Sequence, residues 1–124
     1  MGIASESLSK IVENMSGNAK IDAVFVTNIG GKEVDWDMIF QFNLDNEDSF
    51  YLKVERRKAE LINGIASDPN IIMTGDNNAI VKICNGKGDF THAISREQIK
   101  VTKGKIIEVI RLTRAITLVL RVTK

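Results

Sequence analysis

The chain has 124 residues, 44% hydrophobic and 27% charged, with 17 Lys and Arg against 16 Asp and Glu. That is enough for one globular domain spanning 1–124 and too little for two, and the composition is far from that of a disordered segment. A formal net charge of +1 gives no ground for nucleic-acid binding, and no run of about 18 apolar residues is present to cross a membrane.

Leu8, Ile11, Val12 and Met15 fall at helical spacing, with Ser5 as the expected N-cap and Gly17 as the stop. Ile21, Val24, Phe25 and Ile29 continue a helical period as far as Gly30-Gly31. The period favours a second helix there, and the Val, Phe and Thr content leaves a strand open. The stretch MIFQFNL then alternates, with Phe40, Phe42 and Leu44 on one face and Gln41 and Asn43 on the other. After the polar turn DNED, SFYLKVER alternates again through Phe50, Leu52 and Val54, and RKAELING does so through Ala59 and Leu61. Short connections between these runs imply an antiparallel meander with one buried face. Asp68-Pro69-Asn70 marks a turn into a short apolar strand, and QIKVTKG supplies a fifth strand later. Asp76 is placed to cap a helix carrying Ala79, Ile80, Ile83 and Cys84, and Asp89 to cap a shorter one with Phe90, Ala93 and Ile94 turned inward.

The last twenty residues form an amphipathic helix. Val109, Leu112, Ile116, Val119 and Leu120 share one face, and Arg111, Arg114 and Arg121 share another, along which Ile107 and Leu118 also lie. The charge is unevenly spread: every charged residue from Glu33 to Leu52 is acidic, whereas Arg96 to Lys124 carries eight cations against Glu97 and Glu108. A basic C-terminal end suits an anionic surface. The whole order, α, α, β, β, β, β, α, α, β, α, is an α+β domain whose sheet buries one face under helices.

The stretch CNGKGDFTHAIS, residues 84–95, holds the only cysteine and the only histidine. A P-loop needs a longer glycine-rich loop running from strand to helix. Here a helix precedes single glycines around Lys87, so Gly86 and Gly88 read as the end of one helix and Asp89 as the start of the next. A Cys84–His92 nucleophilic pair lacks an orienting third residue, and Cys84 falls on an apolar face. One His and one Cys cannot build an N/S metal site, and Glu33, Asp35 and Asp37 suit a solvated loop better than a hard-cation site. No metal and no cofactor are expected. A single cysteine, no basic start followed by a long apolar run, and a Val122-Thr123-Lys124 ending that is no peroxisomal address make a cytoplasmic setting the expectation.

From about Trp36 to Ile116 the chain resembles the sterol carrier protein family of small lipid-transfer domains. FQFNL, FYLKVERRKAELINGIASDPNIIMTGD and NGKGDFTHAISREQIKV carry the likeness as an ordered set. Two turns depart from the family's usual glycines: Arg56-Arg57-Lys58, and Ser95-Arg96-Glu97-Gln98 before the last strand. The resemblance implies a five-stranded, mostly antiparallel sheet with helices packed on one face and an apolar tunnel between the layers. It also implies non-catalytic binding or transfer of an apolar small molecule such as a fatty acyl chain, an isoprenoid or a sterol-like lipid.

The residues expected to line such a site are Phe40, Phe42, Leu52 and Val54 from the sheet, Ile80, Ile83, Phe90 and Ile94 from the middle helices, and Val109, Leu112, Ile116 and Leu120 from the last helix. A closed core would use the same residues. Ile107, Arg111, Arg114, Leu118 and Arg121 are expected to meet an anionic membrane surface or a partner, with the last helix as a lid. The rival reading is a filled-core module for homodimerisation or for docking on a partner enzyme.

Overall fold

The computed structural model describes residues 2–15, 23–56 and 58–122. The first helix, α1 (Ile3–Glu13), buries Ala4, Leu8, Ile11 and Val12 along one face. Its N-cap is Gly2 rather than Ser5. Ser5 lies inside the first turn, where its hydroxyl donates to the Gly2 carbonyl at 3.0 Å. The capping is done from elsewhere in the chain: the Glu47 carboxylate accepts the Ala4 N–H at 3.0 Å and the Ser5 N–H at 3.2 Å. A carboxylate on the orphan donors at the positive end of the helix dipole fixes α1 to the DNED turn. The helix stops at Asn14; the expected stop at Gly17 and the expected helical position of Ile21 lie outside the described residues.

The helix expected up to Ile29 is replaced by a 3₁₀ turn (Ala23–Phe25) and a hairpin of β1 (Val26–Ile29) and β2 (Lys32–Asp35). Ile29 faces Lys32, and Gly30 and Gly31 between them have φ of 59° and 84°. Two positive φ angles in a two-residue loop match the twist of a hairpin, and Gly-Gly meets that demand without strain. The turn chemistry and the β-branched residues override the helical period.

The main sheet contains β3 (Met38–Leu44), β4 (Phe50–Glu55), β5 (Lys58–Asn63), β6 (Ile71–Gly75) and β7 (Ile99–Lys103), in the order β5-β4-β3-β6-β7. The meander of β3, β4 and β5 is antiparallel, as is the β6–β7 pair, while β3 and β6 run parallel. Asn70 secures that parallel seam: its side chain accepts the Ile39 N–H at 2.8 Å, and its own N–H donates to the Ile39 carbonyl at 3.0 Å. Phe40, Phe42, Leu44, Phe50, Leu52, Val54, Ile71 and Met73 are buried, as the alternation requires. Gln41, assigned by alternation to the polar face, is buried too. Its amide accepts the Ala66 N–H at 2.8 Å and donates to the carbonyls of Phe50 and Gly64, so the chain at 64–66 folds over that face.

Three further helices complete the layer: α2 (Asn77–Cys84), α3 (Phe90–Ser95) and α4 (Ile106–Val122). Asp76 caps α2 through the Asn78 N–H, and Asp89 caps α3 through the His92 N–H, both as the sequence indicates. α2 ends in a Schellman turn. The Lys87 N–H donates to the Lys82 carbonyl at 2.9 Å and the Gly86 N–H to the Ile83 carbonyl at 3.1 Å, with Gly86 at φ 76°. The glycine-rich stretch is therefore a helix-to-helix turn. α1 packs on α2 and β5, and α3 packs on β7 and α4.

Candidate functional site

α4 presents different faces along its length. Val109, Leu112, Ala115, Ile116 and Val119 are buried in the core. Beside them, Thr113, Ile116, Thr117, Leu120 and Arg121 fall at i, i+3, i+4, i+7 and i+8 and line a cleft of 310 Å³. The opposite wall is the end of α2 and the turn after it, through Ile83, Gly86, Gly88 and Asp89. Ile83 and Ile116 belong to the core, so the floor of the cleft is continuous with the interior. Leu120 lies over the turn: a Cβ on Gly86 would meet its Cδ1 at 3.6 Å. The threonine hydroxyls are engaged within the helix, Thr113 to the Val109 carbonyl and Thr117 to the Thr113 carbonyl. That leaves a cleft of mixed lining, with Ile83, Ile116 and Leu120 as its apolar part and Arg121 and Asp89 among its polar groups.

Of the residues expected to line a ligand site, Ile83, Ile116 and Leu120 meet in this cleft. Phe40, Phe42, Leu52, Val54, Ile80, Phe90, Val109 and Leu112 lie deeper, all buried in one cluster, with Ile94 half-buried against it. Exposures at or near zero mean that these side chains border no space the size of a water molecule. The Phe42 and Phe50 rings stack at 5.0 Å between centroids. The region between the layers is thus filled by side chains, and it meets solvent along the cleft.

The outward residues of α4 are divided among three places. Ile107, Arg111 and Arg114 line a second groove of 370 Å³ with Val24, Val26, Glu108 and Ile110. Leu118, expected on the exposed face, is half-buried against the core, and Arg121 belongs to the cleft. Arg111 is not a free cation: its Nε donates to the Val24 carbonyl at 2.7 Å and an Nη to the Val26 carbonyl at 2.6 Å. Burial lowers its pKa from the ordinary value, and the Glu108 carboxylate opposes that shift. Trp36 Nε1 donates to Glu108. Trp36, Glu108, Thr113 and Thr117 were not among the expected site residues. The i, i+4 spacing of the two threonines was a usable signal, whereas the pairing of Trp36 with α4 spans 72 positions and leaves no local trace.

Cys84 and His92 do not form a couple. Cys84 is buried, and burial pushes its thiol up to about 12. His92 is exposed, with Nδ1 against the Asp89 carboxylate at 2.9 Å. Asp37 accepts the Arg56 N–H at 3.3 Å. Among the described residues, no three His, Cys, Asp or Glu side chains gather into a metal-binding group, and no helix is long and apolar enough to cross a membrane.

No protein-family model and no curated protein matches the chain. Solved structures do. UbiJ-SCP2, a ubiquinone synthesis protein, superposes with a TM-score of 0.70 at 13% identity over 94% of this chain and 95% of its own. Sterol carrier protein 2 of Aedes aegypti, in complex with the C16 fatty acid palmitate, gives 0.62 at 14% identity over 94% and 96%. The apo form of sterol carrier protein 2 from Yarrowia lipolytica gives 0.56 at 18% identity over 91% and 73%. The sequence resemblance therefore holds in three dimensions, and the chain has the fold of sterol carrier protein 2 domains.

Proposed function

We propose that the protein binds and carries an apolar small molecule, an acyl or isoprenoid chain or a sterol-like lipid, in the cleft between the α2–α3 turn and α4. The observation that carries this reading is the continuity of the cleft floor, Ile83 and Ile116, with a core built from the predicted lining residues. A chain lying there gains about 0.8 kcal/mol for each methylene it buries against the apolar part of the lining, Ile83, Ile116 and Leu120. It needs no reactive group, and the buried Cys84 thiol is not paired with the exposed His92. The palmitate bound by the Aedes aegypti protein of the same fold supports the ligand class. Deeper insertion requires α4 to move away from α3, with its apolar face as the cover.

The test is solvent extraction of the purified protein with mass spectrometry of what is released, followed by titration with a fluorescent fatty acid. A stoichiometric apolar compound, or saturable uptake that Leu120→Trp abolishes, is the expected result. No extracted compound together with no uptake would overturn the reading.

The packed interior favours a second reading, an interaction module. Ile106, Ile107 and Ile110 are exposed near Arg114, which suits a second copy, a partner enzyme or an anionic membrane surface. Sedimentation of a single monomeric species, with no flotation on anionic vesicles, would remove the homodimer and membrane versions.

A further inference from the structure

The polar groups of the cleft are of one kind. Thr113 and Thr117 stand one turn apart on its α4 wall, and such a pair has Cβ atoms about 5–6 Å apart. Each hydroxyl has a single proton, and both protons are engaged inside the helix. Thr113 Oγ1 donates to the Val109 carbonyl at 3.3 Å, and Thr117 Oγ1 donates to the Thr113 carbonyl at 2.9 Å. A hydroxyl that has donated keeps its lone pairs, so each threonine can offer a ligand only an acceptor.

The facing wall repeats that character. Asp89 lines it, and its carboxylate accepts the His92 N–H at 2.8 Å and meets His92 Nδ1 at 2.9 and 3.0 Å. An ionised carboxylate has about four lone-pair sites and no proton to give, so Asp89 too can only accept. The Gly86 N–H is engaged by the Ile83 carbonyl. Arg121 is the one side-chain donor left among the described residues of the lining. An ether, an ester or a ketone presents lone pairs alone, and against three acceptors it leaves them unpaired. An alcohol donates to a threonine oxygen or to Asp89, and its own oxygen can accept from Arg121. The volume of 310 Å³ is at the small end for a ligand pocket, so it suits a head group and the first part of a chain lying against Ile83 and Ile116.

We propose that Thr113 and Thr117, with Asp89 opposite, determine specificity by selecting a ligand that ends in a hydroxyl: a long-chain alcohol in preference to the corresponding ether, ester or ketone. The proposal rests on the cleft being the lipid site and adds the head group that it takes.

The test is titration of the full chain with dodecanol and with dodecyl methyl ether. The two share an apolar chain and carry no charge; they differ in the donor and in one methyl, which by itself favours the ether. The alcohol is expected to bind about tenfold more tightly. Thr113→Val with Thr117→Val removes both oxygens at nearly the same shape, and there the alcohol's affinity is expected to fall to that of the ether. Thr113→Ser with Thr117→Ser returns the oxygens and should restore the preference. Thermal melts check that the variants fold; if the double valine variant melts early, Thr117→Val alone is read, with the preference expected to fall to about threefold. Equal affinities in the natural chain, or a preference that survives the valine changes, would overturn the selection and leave the cleft standing as a lipid site. Binding of neither compound would overturn the lipid site itself, and the selection with it.

Discussion

The guanidinium carbon of Arg111 lies 4.4 Å from the centre of the Trp36 ring. The same group donates to the carbonyls of Val24 and Val26, so one side chain ties α4 to the segment leading into the β1–β2 hairpin. Trp36 in turn stacks on Phe25 at 6.2 Å and meets Phe40 edge-on at 5.6 Å. The N-terminal half of α4 is thereby anchored, while its C-terminal half covers the cleft.

Replacing Arg111 tests that anchor. Arg111→Lys keeps the charge but cannot serve two carbonyls from a rigid fork. We expect a loss of about 1–2 kcal/mol, with Arg111→Ala losing more, measured by urea unfolding.

The buried Gln41 is a second structural node. Gln41→Leu keeps the volume but strands the Ala66 N–H and the Phe50 and Gly64 carbonyls. The expected destabilisation is on the order of 3 kcal/mol by chemical denaturation, with faster proteolysis near 64–66. A leucine variant as stable as the natural chain would show that water replaces the amide freely.

Glu97 ends α3 in the left-handed region, at φ 60°. Its N–H donates to the Ile94 carbonyl and the Gln98 N–H to the Ala93 carbonyl, a second Schellman turn built without glycine. Glu97→Gly is expected to stabilise the protein by about 1 kcal/mol, read as a raised melting temperature.

Asp89 gives a pH signature. The His92 N–H holds its carboxyl below the ordinary carboxylate value, against a smaller opposing effect of burial. Its lowered native pKa means that its stabilisation is full above the unfolded value and is lost as pH falls through the native one. The stability gap between the natural chain and Asp89→Ala should be about 1 kcal/mol at neutral pH and narrow in acid below the ordinary carboxylate range. A gap independent of pH would contradict this.

Cys84 is predicted to be inert. A thiol pushed up to about 12 is almost entirely protonated at pH 8, and the thiolate is the reactive form. Iodoacetamide labelling of the native protein, followed by mass, should run at least about a hundredfold slower than in urea, limited by opening of the fold.

Much of this architecture is legible in the residues. Alternation through Phe40, Phe42, Leu52 and Val54 locates the sheet's inner face, and Asp76, Gly86 and Asp89 mark the middle helices because capping is local chemistry. What escapes is set by distant partners. Ser5 has the composition of a cap, yet Glu47 holds the helix end from 42 positions away. Gln41 follows the alternation and is still buried, because the chain at 64–66 covers it. Segment 26–29 carries both periods, and the Gly-Gly turn decides between them. The arginines of α4 look equivalent on a helical wheel, but only the fold separates the anchored Arg111 from Arg121 at the cleft rim.

The parallel seam between β3 and β6 carries a consequence for how the chain is made. While the chain emerges from a ribosome, β3, β4 and β5 can pair as soon as residue 63 is free, but β3 then shows a bare inner edge. That edge stays open until Ile71–Gly75 arrives, and β6 waits longer for Ile99–Lys103. A stalled product ending before residue 71 therefore exposes the most apolar strand of the sheet, a template for pairing with another copy. Its vulnerability in the cell is highest during synthesis and ends when the last strand docks.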